Sequence, residues 1–209
     1  MANQLKCKLC RREGKKLFLK GERCYTTKCA IVKRNYAPGM HGLKQGPAKK
    51  VSAYGRQLRE KQSAKRSYNI KEKQLVNYFK KATRKKGNTE ETLYQLLELR
   101  LDNVIFRLGL AKSRAQARQI ISHGHVQVNS KKVNIPSFHL KPGDQISLRE
   151  KSLKTPLFVN LSEGVKTGEL VSWLHLDPKT LVAKVVDVPN YEKSVKEFEM
   201  KQIIEFYSR

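Results

Sequence analysis

Acidic side chains are scarce in this 209-residue chain, 18 against 44 lysines and arginines. No apolar run approaches the length of a bilayer-spanning helix, and no signal-peptide pattern opens the sequence. Neither a membrane partner nor secretion is therefore expected. The five histidines are scattered over different segments, and no acidic residue makes an obvious acid–base pair with a histidine or cysteine. General acid–base and nucleophilic chemistry have no constellation to work with, so the chain reads as no enzyme and no small-molecule substrate is expected. No internal repeat is detectable. Cysteine is confined to four residues, all within a 23-residue stretch.

The positive charge is unevenly spread. Residues 1–86 hold 26 Lys/Arg and 4 Asp/Glu, whereas residues 87–209 hold 18 and 14. The first part repels itself until a dense polyanion neutralises it, and RNA, DNA or an anionic surface all meet that condition. The second part has the balance of an ordinary globular chain.

Residues 36–50, YAPGMHGLKQGPAKK, are punctuated by glycine and proline and predict an extended loop that orders against its partner. Basic helices are expected over 52–86, where Leu75, Val76, Phe79 and Ala82 give a narrow apolar stripe. Leu93, Leu97, Leu101, Val104, Ile105 and Leu108 fall on one face of a single predicted helix ending at Gly109. Ser113 and Gln116 read as a capping box opening a second helix, with Ala117, Ile120 and Ile121 inward. Arg114 and Arg118, four apart, are expected on its outward face. Val126 and Val128 begin a hairpin whose tip is Asn129-Ser130. Pro142-Gly143 leads into a strand through Ile146 and Leu148, and Asp177-Pro178-Lys179 joins two strand-like runs. The last stretch, 197–207, has helical spacing and is expected to pack back on the basic helices.

Cys7 and Cys10 are separated by two residues, Cys24 and Cys29 by four, and the pairs by thirteen. That spacing points to one structural zinc ion held by four thiolates, with no open coordination position. Disulfides do not suit a chain without a secretion signal, and the spacing differs from common iron–sulfur patterns. Zinc names the metal without naming the partner. A zinc-dependent DNA regulator is the rival reading, but nothing resembles a two-cysteine, two-histidine finger or a basic zipper.

RLDNV, the SRAQAR helix start, HGHVQVN and the KPGD turn together resemble the RNA-binding module named after the fourth small-subunit ribosomal protein. The likeness continues through the cysteine spacing, the RNYAPGMHG loop, the YGRQLREKQSAKRSY helix, the Trp173-Leu174 hairpin and the terminal IIEFYSR. The sequence is thereby identified with that ribosomal family, in its bacterial-type, zinc-binding four-cysteine form. It departs at Asn129-Ser130, where the family favours Asn-Gly.

The resemblance implies an α+β chain: a helical domain plus an RNA-binding module of two helices packed on a small antiparallel sheet, with an N-terminal zinc-binding segment. Residues 1–45 would be that segment and loop, 46–91 the helical domain completed by 192–209, and 92–191 the module with its C-terminal hairpin. It also implies a cytoplasmic protein of the ribosome that binds the 5′ domain of small-subunit rRNA and nucleates assembly. Its neighbours would be ribosomal proteins three and five and the mRNA where it enters, with an influence on translational accuracy.

RNA helices are read through shape, phosphates and 2′-hydroxyls, which suits arginine's planar fork. The expected contacts on the module are Arg100, Arg107, Lys112, Arg114 and Arg118, with His123 and His125 nearby. In the basic half they are Arg11, Arg12, Lys33, Arg34, Lys49, Lys50, Arg56, Arg59, Lys65 and Arg66. Tyr36 and Tyr54 are stacking candidates.

Overall fold

The computed structural model describes residues 6–40, 42, 51–153, 155, 158, 171–177, 180–194 and 197–209. Two compact units form: Met1–Glu90 with Lys196–Arg209, and Glu91–Val195. The cysteine segment and the basic helices share the first unit.

In that unit, α1 spans Lys6–Glu13 and a 3-10 turn spans Gly21–Cys24. Next come α2, Ala30–Lys33, then α3, Ala53–Ser67, and α4, Glu72–Arg84. Ser52 Oγ accepts from Gly55 N at 3.1 Å, satisfying one of the donors a helix start leaves open. The C-terminal helix, Met200–Tyr207, packs on α3 and α4 as its spacing predicts. Ile203, Leu75 and Ala82 are fully buried there, Tyr68 meets Phe198, and Phe79 meets Tyr207. Most of the expected 36–50 loop, including Lys49 and Lys50, lies outside the described residues.

The second unit carries α5 (Thr89–Glu98), α6 (Leu101–Arg107), α7 (Arg114–Ser122) and the short α8 (Glu150–Leu153). Its five strands are β1 (Val126–Val128), β2 (Lys131–Val133), β3 (Gln145–Leu148), β4 (Leu174–Asp177) and β5 (Val182–Val185). They form one antiparallel sheet in the order β2-β1-β3-β5-β4. Alternate residues turn one face inward, so Val126, Val128, Ile146, Leu148, Leu174, Leu176, Ala183 and Val185 meet Leu101, Val104, Ile105, Leu108, Ala117, Ile120 and Ile121 in one core. Each buried Val, Leu or Ile among them contributes about 1.5–3 kcal/mol by leaving water.

The single helix expected through Leu93–Leu108 is two. Leu99 and Arg100 leave helical geometry because Leu99 O accepts from Leu140 N and Leu101 N donates to Phe138 O. Arg100, at φ −71° and ψ 136°, bridges to His139 as an extended residue. Gly109 and Gly124, at φ +74° and +73°, end α6 and α7 in the left-handed conformation. Ser113 Oγ caps Gln116 N at 3.3 Å, while the Gln116 side chain reaches past it to Lys112 N at 2.8 Å. At the hairpin tip Asn129 and Ser130 both have positive φ, 49° and 65°, as a two-residue type I′ turn requires. Asn129 is fixed there by bonds to Asp144 and Gln145. Of the turn between β4 and β5, Pro178 and Lys179 lie outside the described residues.

Candidate nucleic-acid interface

The arginines of the second unit are wired together below the surface. Glu98, fully buried, ends α5 and accepts a two-pronged contact from Arg107, Nε at 3.1 Å and Nη2 at 3.0 Å. Asn103 Nδ2 donates to Glu98 Oε2 at 3.0 Å, and its carbonyl accepts from Arg114 Nε at 2.8 Å. Arg114 also stacks on Phe106, 4.6 Å from the ring centre. Asp102 accepts from Arg100 Nε at 3.0 Å and Nη2 at 2.7 Å, with Arg118 Nη1 3.7 Å away.

This corrects two placements. Arg100 is 0 % exposed, so its charge belongs to the interior and not to the module surface. Arg114 is 6 % exposed and does not share the outward face with Arg118, because Asn103 and Phe106 draw it in. Arg107 and Arg118 are half-buried, and Lys112 and His123 are exposed. His125 is half-buried, its Nδ1 2.9 Å from Ser152 Oγ and its ring against Phe158.

In the first unit, acidic residues clamp cations in the same way. Glu13 closes α1 with a wholly buried carboxylate that accepts from Arg59 Nη1 at 3.2 Å and from Arg66 Nη1. Glu60 takes Lys15. Glu72 Oε1 and Oε2 accept from Lys61 and Lys65, each at 2.7 Å, and Tyr207 Oη donates to Oε1 at 2.6 Å. Burial pushes the Glu72 carboxyl up, but those three donors outweigh it and hold it at about 2. Burial likewise raises the Tyr207 phenol, and the neighbouring carboxylate raises it further.

Arg11 is half-buried, donating Nε to Tyr36 O at 3.0 Å and lying 4.5 Å over the Tyr36 ring. That ring therefore already carries a stacked cation. Arg12, Lys33, Arg34 and Arg56 are exposed. Tyr54 is exposed, with one side against Phe206 and the Arg209 guanidinium 5.6 Å from its centre. Sequence reading missed Glu13, Glu72, Glu98, Asp102 and Asn103 as partners of the cations. The acids flanking Arg100 in the run Glu98–Asn103 were the available signal, and Glu13 had none.

All four cysteines are free thiols. Cys7, Cys10, Cys24 and Cys29 line one pocket with Leu19, Arg23 and Ile31, and all but Cys7 are buried. Burial pushes the Cys10 thiol up against a backbone hydrogen bond from Leu17, and the other three cysteines push it further. Among the described residues no three Cys, His, Asp or Glu side chains form a ready-made ligating cluster. The thiols are gathered in one place without being closed into a tetrahedron. Four soft sulfur donors around one pocket fit a zinc ion by their chemistry. No helix among the described residues is long and apolar enough to cross a membrane.

Two family models match consecutive stretches: the Ribosomal protein S4/S9 N-terminal domain over residues 3–98, and the S4 domain over 99–146. The chain is similar over 97 % of its length to proteins named Small ribosomal subunit protein uS4. That of Heliobacterium modesticaldum is 54 % identical over 203 residues, 96 % of its own length. The Natranaerobius thermophilus protein is 51 % identical over the same span and share. One named Small ribosomal subunit protein uS4A, from Alkaliphilus metalliredigens, is 52 % identical, again with 96 % of its length covered.

Proposed function

The chain belongs to the uS4 family of small ribosomal subunit proteins, and from that premise we propose that it grips the 5′ domain of small-subunit ribosomal RNA early in assembly and is held at its head by one zinc ion. It is a structural, non-enzymatic component of the small subunit that works in the ribosome and binds ribosomal RNA. Arg12 of α1 and Arg56, Arg59 and Arg66 along one side of α3 support the first contact, with Lys65 on another side of that helix. Arg107, Lys112 and Arg118 of the S4 domain provide the second. Together these side chains bring RNA helices side by side, which is how one polypeptide nucleates a folded RNA. In the finished subunit the chain adjoins ribosomal proteins three and five beside the mRNA path, and so bears on decoding accuracy.

The observation that carries this reading is that partly exposed arginines in each unit, Arg59 and Arg66 on Glu13 and Arg107 on Glu98, are held by buried carboxylates. Such a surface meets phosphates already ordered, without the entropy loss of freely rotating side chains. With roughly ten phosphates neutralised, log affinity for an isolated 5′-domain transcript falls with log salt at a slope of about −7 to −9. A shallow slope, or equal affinity for duplex DNA at the same salt, overturns it. The zinc ion would be held by Cys7, Cys10, Cys24 and Cys29 and would supply folding energy to a segment with little apolar core. Metal analysis of the purified protein is expected to find one zinc per chain, and a metal-free folded protein removes that part of the proposal.

A further inference from the structure

Residues 1–86 contain four acidic side chains, Glu13, Glu22, Glu60 and Glu72, in a segment that must attract a polyanion. Three of them hold basic side chains in ion pairs. Glu13 differs from the others in burial. Its side chain is 0 % exposed, whereas the Arg59 and Arg66 side chains it holds are 33 % and 23 % exposed. Both guanidiniums reach the same oxygen, Oε1, while Ser63 Oγ lies 3.5 Å from Oε2. Arg59 and Arg66 stand two turns apart on α3, so they lie on one face of the helix. Left alone, two like charges on one face repel and wander. A single negative charge anchored between them at the base fixes both and leaves the pair with net charge +1.

We propose that Glu13 is a positioning residue for RNA binding: its buried carboxylate holds Arg59 and Arg66 in the pose in which α3 presents them to ribosomal RNA phosphates. The inference rests on the reading that these two arginines face RNA. Each would otherwise lose rotamer freedom on meeting a phosphate, and the clamp removes that loss before the RNA arrives. Since Glu13 closes the helix that bears Cys7 and Cys10, the clamp also ties the cysteine segment to the basic face.

Charge counting and positioning predict opposite signs. Removing a carboxylate from a phosphate-binding surface should tighten RNA binding if only net charge matters. If Glu13 positions the arginines, Glu13→Gln weakens it. The experiment measures affinity of the full-length protein for a 5′-domain rRNA transcript across a salt series, alongside thermal melting and metal content. Expected for Glu13→Gln is roughly tenfold weaker binding and a salt slope shallower by about 1, with metal content unchanged. Unchanged or tighter binding overturns the proposal.

The double variant Arg59→Ala/Arg66→Ala separates the two layers. If it binds like the wild type, these arginines do not face RNA and the proposal falls with that reading. If it binds weakly while Glu13→Gln does not, only the role of Glu13 falls. Glu13→Asp keeps the charge and retracts the carboxylate by one methylene, which serves if the glutamine variant melts. An affinity and slope between those of wild type and the double variant support the clamp, and wild-type values overturn it.

Discussion

The two units solve stability with different materials. In the second, twenty-two buried apolar residues among those described, from α6, α7, β1, β3, β4, β5 and the connections, make one continuous core. Its charges are arranged around that core. In the first, the buried apolar residues Leu17, Ile31, Ala64, Ile70, Leu75, Ala82, Met200 and Ile203 are interleaved with buried cysteines and with Glu13 and Lys61. There the excess of cations sets the problem, since residues 1–86 alone hold 26 lysines and arginines against 4 acids, and like charges repel one another. Acids placed beneath pairs of cations answer it, at Glu13 for Arg59 and Arg66 and at Glu72 for Lys61 and Lys65. The difference teaches that a unit built to meet a polyanion gains order from local charge pairing and cysteines, while its neighbour relies on volume.

Removing the zinc ion proposed for the four cysteines is the harshest test of that contrast. A structural zinc site is worth on the order of 10 kcal/mol to the segment it closes. A strong chelator is therefore expected to expose the amides of residues 6–36 to rapid hydrogen exchange while leaving the sheet amides protected. Equal protection with and without chelator would mean the cysteine segment stands on packing alone.

Next in size, Ile105→Ala deletes a fully buried side chain from the second core. A loss of about 2–5 kcal/mol is expected in chemical denaturation of that unit. Hydrogen exchange in α3 and α4 should not follow it. If protection in α3 falls equally, the two units do not unfold separately.

A smaller effect of opposite sign is expected at the hairpin tip. Ser130 sits at φ 65°, where a side chain is strained, so Ser130→Gly should raise stability by about 0.5–1 kcal/mol. A melting temperature that falls would show that the serine makes a compensating contact.

The smallest concerns acid. Glu72 is held at about 2, below an unfolded carboxylate near 4.3. Its contribution is complete above the unfolded value and is lost as pH falls from roughly 5 through 2. With 41 % of the side chain exposed, solvent screening limits this to less than about 1 kcal/mol. Comparing acid titrations of wild type and Glu72→Gln, followed by the Tyr207 environment, measures it. Identical curves would remove Glu72 from the pH dependence of the first unit.

Much of the fold was legible residue by residue. The capping serine at 113, the left-handed glycines at 109 and 124, and the alternation through Val126–Val128 and Ile146–Leu148 act over a few neighbours, so local pattern reveals them. The break at Leu99–Arg100 was not legible. Periodicity ran straight through it, and the bonds that straighten the chain come from Phe138 and Leu140, almost forty residues away.

The candidate site divides along the same line. Net charge, its concentration in the first 86 residues and the clustering of four cysteines are properties of composition and spacing, and they alone pointed to a polyanion and a metal. Which cations face outward belonged to the tertiary structure. Arg100, Arg114 and Arg118 look alike in sequence, yet Asp102 and Asn103 bury the first two and leave the third half-exposed. A guanidinium goes where a carboxylate or amide waits for it, and that meeting exists only once distant segments have folded together.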